Sequence, residues 1–501
     1  MRWLAIILGT ALLAGAGGGL YLHLRVKGDP RDVAAEYFAY WRAGDFDAMR
    51  TLVAHPPSDF VTQHREFSKA LQVRSLNLST RPVVRVGEQE AKADFTAVRE
   101  LPPGEWAVES SLRLRVVERH WRVVWGPATL APELARGGAL QLRETEAPTG
   151  NAVYADGSPI SPTSSVTQYV DRLRGQYQTG SGATGWGVFL DGTPIKVFSE
   201  PKAPKLQTTL DAKAQAAADK VVKEAPKPTA LVALRPSTGA VLALADGVSS
   251  QAVTQGAYPP GSTFKIVTAA ALASSGLSPS SSVSCPASKL IGQRTITNHD
   301  GLDLGTTTLR TAFARSCNTT FADLGVNRAQ AAGMTDAAEL FAFNRPFAFN
   351  AARPSFPAPS GTADLAEAAI GQGRVLVSPL TMAAVAAAVA NGTWRSPVMF
   401  PVGAYAQAGE DVPDPRPLPA AVVSVLRPLM AAVVTSGTAA SAGLPPGTHG
   451  KTGTAEYDAT GAAHAWFVGY RGDLAFAVLV PSGGDGGRTA APLAATFLKA
   501  L

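Results

Sequence analysis

Three short stretches carry side chains whose types and spacing could do chemistry together. The first, YPPGSTFKIVTAAALASSG at residues 258–276, places Lys265 three residues after Ser262. On a helix that spacing brings the two side chains onto one face and into contact. Phe264, Ile266, Val267, Ala269, Ala270 and Leu272 leave this helix no obvious solvent side, so Lys265 is expected to be buried. Burial disfavours an ammonium ion, and a neutral amine beside a hydroxyl is a base able to activate a nucleophile. Pro259-Pro260-Gly261 fixes the approach, and the N-terminus of a helix favours negative charge developing there. Alone, S-x-x-K is a weak signal, because long chains match it by chance. Two further stretches strengthen it: RSCNTTFADLG supplies Ser316 and Asn318, and HGKTGTAEY supplies Lys451, Thr452, Gly453 and Thr454. A hydroxyl and an amide at i and i+2 on a loop can face one cleft. Lys451 on a strand brings a cation, Gly453 permits close backbone approach, and the two threonines offer hydroxyls to a carboxylate.

The elements that must position these groups are legible in outline. From Leu206 onward an amphipathic helix over about 211–224 leads into TALVALRPSTGAVLALAD, two apolar strands joined at Pro236-Ser237-Thr238-Gly239. After the central helix come the Ala-rich helix PLTMAAVAAAVANG and a closing pair of strands, GKTGTAEY and HAWFVGYRGDLAFAVLVP. Paired strands at both ends with helices between predict one antiparallel sheet covered by helices, a single large domain over 206–501. His449 is expected in a loop, Trp466 and Tyr470 as strand residues packing the sheet, and Gly371-Gln372-Gly373 as a turn, since no strand-to-helix phosphate-loop context surrounds it.

Residues 30–142 read as a small α+β domain. Val33, Tyr37, Phe38 and Trp41 fall at helical spacing until Gly44, and Leu112, Leu114 and Val116 alternate as in a half-buried strand. No cluster of catalytic residue types lies here, which fits a spacer or docking domain. The interval 143–205, rich in Gly, Ser, Thr and Pro, reads as a small linker or pedestal. Within residues 1–27, positions 3–24 form 22 residues without a formal charge, long enough for a transmembrane signal-anchor helix. A cleavable signal peptide ending near Ala14-Gly15-Ala16 is the rival reading. Arg25 and Lys27 after the segment run against the positive-inside bias. On either reading the bulk of the chain is extracytoplasmic, single-pass at the cell membrane if the segment is kept.

Composition narrows the field. The chain has 501 residues, 46% hydrophobic and 17% charged, which describes a globular protein of two to four domains. The net charge of +6 is spread without a basic block, so nucleic-acid binding is not supported. Seven scattered histidines give no metal-ligand grouping, and no cofactor is expected. Cys285 and Cys317 are the only cysteines; in an exported chain they form a disulfide or remain two buried thiols.

The order S-x-x-K, S-x-N, K-T-G resembles the motif set of penicillin-binding proteins and serine β-lactamases. TTLDAKAQAAA, GAYPPGSTFKIVTAAAL, ARSCNTTFADLG, AAIGQGRVLVSPLTMA, VVTSGTAA, HGKTGTAEYD and HAWFVGY occur in family order. Residues 31–140, with YFAYWRAGDFDAMRTLV and WRVVWGPATLAPEL, resemble the NTF2-like N-terminal domain of class B members related to the methicillin-resistance type. The linker departs from the pattern: TGNAVYADGSPI stands where such proteins carry Arg-Gly-x-Ile-x-Asp-Arg-x-Gly, and only Asp156-Gly157 survives.

The resemblance implies a multidomain α+β protein with a β-lactamase/transpeptidase-like fold and a serine D,D-transpeptidase activity on peptidoglycan stem peptides. Ser262 would be the nucleophile, Lys265 its base and Ser316 a proton relay. Asn318, Lys451, Thr452, Gly453 and Thr454 would bind substrate, with an oxyanion hole from the backbone N–H groups of Ser262 and Thr454. A Cys285–Cys317 disulfide would brace the loop between Ser316 and Asn318. Implied partners are stem peptides and the lipid-linked precursor, β-lactam antibiotics, a membrane glycosyltransferase, and divisome or elongasome proteins. The alternatives are a β-lactam-binding receptor or divisome scaffold with weak turnover, and a class D-like β-lactamase. Class D enzymes usually carry S-x-V where this chain has Ser316-Cys317-Asn318.

Overall fold

A computed structural model describes residues 26–501 apart from 149, 178–181, 204–205, 250, 349–350 and 458–460. The apolar segment 3–24 lies outside the described residues. Among the described residues, no helix is long and apolar enough to cross a membrane. The chain forms two compact units.

The first unit holds the described residues up to position 149 together with those of 181–203. It opens on α1 (Pro30–Ala43), α2 (Phe46–Thr51) and α3 (Phe60–Ala70). Helix α1 starts where the Asp29 carboxylate accepts the Arg31 N–H at 2.8 Å, and it stops at Gly44, whose φ of 71° is left-handed. The helices lie on a sheet ordered β1 (Ser75–Thr80), β2 (Glu90–Leu101), β3 (Gly104–Val117), β4 (His120–Val124). Alternate residues of β2 are buried, and Phe95 from that face meets Phe38 and Trp41 of α1 at 5.1 and 5.6 Å. A second, three-stranded sheet pairs β5 (Leu140–Thr145), β6 (Gly185–Leu190) and β7 (Thr193–Ser199).

The second unit holds 150–180 and 204–501. The interval 143–205, expected as one linker domain, is therefore divided. Strand β6 pairs with β5 and β7 pairs with β6 in the first unit, whereas Ala152–Val153 pairs in parallel with Leu206–Gln207 in the second. Pairing partners distant in sequence decide this split, and composition does not reveal them.

The rest of the second unit follows expectation. After α4 (Ala212–Glu224), strands β8 (Ala230–Leu234) and β9 (Val241–Asp246) form the predicted hairpin. The C-terminal strands β10 (His449–Glu456), β11 (Ala463–Arg471) and β12 (Leu474–Val480) complete an antiparallel sheet in the order β9-β8-β12-β11-β10. Strand β12 closes the sheet by pairing with β8 across more than two hundred residues of sequence, Ala233 opposite Phe476. That leaves β10, which carries Lys451–Thr454, as an edge. Helices α5 (Lys265–Ser274) and α7 (Pro379–Asn391) are buried on nearly every side; α8 (Ala420–Thr435) packs against both and α6 (Asn318–Leu324) against α5, while α9 (Ala490–Lys499) lies on β11, β12 and α4. An all-apolar helix has no stable place except the inside of a domain this large.

In the first unit the His64 ring is 1% exposed, enclosed by Trp41, Phe46, Phe60 and Trp125 at 4.7–5.6 Å. Burial pushes its pKa down to about 3. An unfolded chain takes up this proton below about pH 6.5, while the folded chain does not until about pH 3. Stability is therefore lost as pH falls through that window, at up to ~1.4 kcal/mol per pH unit. Denaturation of the full chain, followed by tryptophan fluorescence between pH 7 and 5, should show the first unit weakening by about 2 kcal/mol. His64→Phe should remove most of that slope; an unchanged slope in the variant would assign it to other groups.

Candidate active site

The nucleophile segment enters antiparallel to Val377, with the Tyr258 N–H donating to the Val377 carbonyl at 2.9 Å. Gly261 then turns the chain at φ 52°. A Cβ there would lie 2.7 Å from the Thr454 carbonyl and 3.0 Å from the Ala455 Cα, so the turn seats against β10 only because this residue is glycine. Ser262 stands in a 3₁₀ turn, Gly261–Phe264, and the α-helix begins at Lys265. The sequence had placed both on one α-helix; the tighter turn keeps them on the same face, because residues at i and i+3 eclipse in a 3₁₀ helix.

Lys265 is wholly buried. Its Nζ lies 3.1 Å from Ser262 Oγ, 2.8 Å from the Ser316 carbonyl and 2.7 Å from Asn318 Oδ1, with Ser316 Oγ at 3.4 Å. Burial first, and the neighbouring Lys451 second, hold its pKa well below the ordinary lysine value. A neutral amine has two protons and one lone pair. Two of its neighbours, the Ser316 and Asn318 carbonyl oxygens, can only accept. They take the two protons, and the lone pair is left for the Ser262 hydroxyl.

Ser316 closes the helix Leu309–Ala314 in a left-handed conformation, φ 59°, with the Cys317 N–H returning to Ala312 O at 2.8 Å. A non-glycine residue in that region is strained and is held by its surroundings. Here it turns the Ser316 carbonyl onto Lys265. Asn318 opens helix α6 rather than lying in the expected loop, and its Nδ2 donates to Thr297 O at 3.0 Å, which fixes Oδ1 toward Lys265. Between them Cys317 is disulfide-bonded to Cys285, with both residues fully buried. Of the two states open to these cysteines, the structure holds the bonded one.

Lys451 is also fully buried. Its Nζ donates to Ser316 Oγ at 2.8 Å and to the Thr452 carbonyl at 3.0 Å. Burial lowers its pKa to about 7, with Asp485 pulling the other way. The Thr452 and Thr438 hydroxyls lie 2.6 Å apart, and the Gly486 N–H donates to Thr454 Oγ1 at 3.4 Å. Gly453 has a tighter reason than substrate access to be glycine. A Cβ there would lie 2.8 Å from Thr263 Cγ2 and 2.9 Å from the Pro260 carbonyl, so the approach it permits is that of the nucleophile turn itself.

The structure thus gathers Ser262, Lys265, Ser316, Asn318, Lys451, Thr452, Gly453 and Thr454 around one point. His449, expected in a loop, is the first residue of β10, its ring stacked on Tyr470 at 4.7 Å. Trp466 is a fully buried strand residue, as expected, and its Nε1 also donates to Pro259 O at 3.1 Å, tying the nucleophile segment to the sheet. Sequence reasoning gave no role to Thr438 or Gly486. It read Gly371 only as part of a turn, yet the Gly371 carbonyl accepts the Gly261 N–H at 2.9 Å. Among the described residues no group of His, Cys, Asp and Glu is placed to hold a metal ion.

The penicillin binding protein transpeptidase domain family matches residues 229–499, more than half of the chain. The chain belongs to the penicillin-binding protein transpeptidase family. Residues 29–138 match the NTF2-like N-terminal transpeptidase domain, which accounts for the helices and sheet of the first unit. Among curated relatives of this penicillin-binding protein is the peptidoglycan D,D-transpeptidase PbpA of Mycolicibacterium smegmatis. It is 30% identical over 411 residues, covering 66% of this chain and 82% of that one. PbpA of Mycobacterium tuberculosis is 30% identical over 365 residues, 60% of this chain and 73% of that one. The crystal structure of PBPA from M. tuberculosis aligns with a TM-score of 0.54 at 26% identity, over 60% of this chain and 82% of the other. The ceftriaxone acyl-enzyme complex of M. tuberculosis penicillin-binding protein A shares the fold, with a TM-score of 0.60 at 23% identity over 71% of this chain and 98% of that one.

Gly371 offers a test of how tightly the nucleophile is placed. Its φ is 74°, and a Cβ would lie 2.1 Å from the Gly261 carbonyl. Gly371→Ala must displace the turn that carries Ser262. The rate of labelling by a fluorescent penicillin should drop about a hundredfold, the scale for a misplacement of ~1 Å. A rate within about twofold of wild type would show that the turn is not set by this contact.

Proposed function

We propose that this protein is a serine peptidoglycan D,D-transpeptidase working through an acyl-enzyme on Ser262 and inhibited covalently by β-lactams. The observation that carries the proposal is the position of Ser262 Oγ, 3.1 Å from a fully buried amine whose two closest neighbours are carbonyl acceptors. The family membership and the PbpA relatives support it.

In this reading the substrate is a stem peptide ending in D-alanyl-D-alanine. Lys265 Nζ takes the Ser262 proton as Oγ attacks the penultimate carbonyl carbon. The N–H groups of Ser262 and Thr454 receive the resulting oxyanion; Gly261 packed against Thr454 brings the two backbones together. The C–N bond breaks, and the departing amine takes a proton passed from Lys265 through Ser316, which both lysines touch. Asn318 holds the substrate amide, while Lys451, Thr452 and Thr454 hold its carboxylate. An amine from a second stem peptide then attacks the ester and Ser262 recovers its proton, leaving a cross-link. A β-lactam follows the same first steps, but its amine stays tethered, so Ser262 remains acylated.

Localisation and partners follow from the substrate. Segment 3–24 is proposed to anchor the chain in the cell membrane, with the catalytic domain outside the cytoplasm. The Cys285–Cys317 disulfide supports an oxidising compartment. Cross-linking consumes freshly polymerised glycan, so a membrane glycosyltransferase that uses the lipid-linked precursor, together with divisome or elongasome proteins, is the expected company.

Two measurements test the proposal. Ser262→Ala should abolish labelling by a reporter β-lactam while the thermal transition is kept, and peptide mapping of the wild type should find the adduct on Ser262. An adduct elsewhere would mean a different nucleophile, and acylation without stem-peptide cross-linking would mean a binding protein. The acylation rate constant should fall as pH is lowered and the Lys265 amine gains its proton. Lys265→Ala should slow that step ~10²–10⁴-fold with little effect on initial β-lactam binding. A rate flat down to about pH 5 would exclude an amine base.

A further inference from the structure

Thr452 and Thr454 meet a problem of proton supply. A carboxylate only accepts hydrogen bonds, so each threonine must donate its single proton to it. Each hydroxyl oxygen is then left to accept from another group. For Thr454 the partner is a backbone amide, the Gly486 N–H at 3.4 Å, which can only donate. For Thr452 the partner is the Thr438 hydroxyl at 2.6 Å.

Resting on the transpeptidase reading above, we propose that Thr438 is a positioning residue for carboxylate recognition: its hydroxyl donates to Thr452 Oγ1 and leaves the Thr452 proton free for the substrate. Thr438 is fixed for this. Its N–H donates to Ala314 O at 3.1 Å, two residues before Ser316. A Cβ on Gly437 would lie 2.4 Å from that same carbonyl, and a Cβ on Gly487 would lie 2.3 Å from Thr438 O. The segment is therefore wedged between the Ser316 turn and the glycine turn that serves Thr454. Thr452 is 5% exposed, so bulk water is a poor substitute for the missing donor. Lys451 attracts an anion through its charge; the threonine pair, oriented from behind, selects one that presents its oxygens at β10.

The test is a comparison of penicillin G with its methyl ester, which lacks the carboxylate charge, on full-length wild type, Thr438→Val and Thr438→Ser. Thr438→Val should weaken the initial binding of penicillin G about tenfold and leave the subsequent acylation rate constant unchanged. Binding of the ester should be unaffected, and Thr438→Ser should restore the acid. Equal losses for acid and ester would make Thr438 a packing residue and overturn the inference, as would full penicillin G affinity in Thr438→Val. If wild type is not acylated on Ser262 by either compound, the transpeptidase reading itself fails and the inference with it. Normal wild-type acylation with an unchanged acid-to-ester ratio in Thr438→Val defeats the inference alone.

Discussion

Two lysine amines buried side by side, both reaching Ser316, are the constraint on which this site depends. Lys265 Nζ and Lys451 Nζ lie 3.4 and 2.8 Å from Ser316 Oγ, so they are no more than about 6 Å apart. Two like charges at that distance repel by ~3 kcal/mol at the effective dielectric that suits protein sites. That is enough to favour, by about a hundredfold, a state with only one of them protonated. Surroundings decide which one. Asp485 favours charge on Lys451, while Lys265 faces Lys451 without a carboxylate to offset it. One lysine is left to act as a base and the other as a cation, although both side chains are the same. Environments that push two titratable groups apart are how one site holds an acid and a base at one pH.

Keeping that pair dry needs backbone segments packed closer than side chains allow. Gly261 meets Thr454, Gly371 meets Gly261, Gly453 meets Pro260 and Thr263, and Gly486 meets Gly453. Together they form a chain of backbone contacts from the nucleophile turn to the edge strand. A side chain at any of the four would open space beside Ser262, and water there would restore the solvation that keeps an ammonium charged. These glycines thus serve the acid–base chemistry through geometry.

What the sequence made legible follows from the range of each determinant. The buried helix 265–274, the hairpin 230–246, the closing strands and the alternation in β3 are local patterns, and the structure has them where periodicity put them. The three motifs were readable because their residue types recur in a known order. The division of 143–205 was not, since β6 reaches back some forty residues to pair with β5 and carries its hairpin partner β7 into the first unit. His449 was read as a loop residue because a lone histidine announces no strand; its ring stacks on Tyr470 of β11, the strand that follows the hairpin turn. Gly371 and Thr438 carry common turn and loop signals; only contacts to Gly261 and Thr452 give them a role.

The same reasoning explains why so large a body surrounds so few reacting atoms. The groups around Ser262 come from residues near 262, 316, 371, 438, 451 and 486, and no two of those segments could hold their geometry alone. An isolated turn that buried Lys265 would lose more in desolvation than its two carbonyl acceptors return. The apolar helix α5, the Phe321 ring 5.6 Å from Nζ and the Ser316 turn exclude water from the amine, and the sheet fixes the strand that faces it. The stability of the second unit and the basicity of Lys265 are therefore one property of the fold. Loosening the packing far from Ser262 would first admit water to the amine, so acylation should weaken before the domain unfolds.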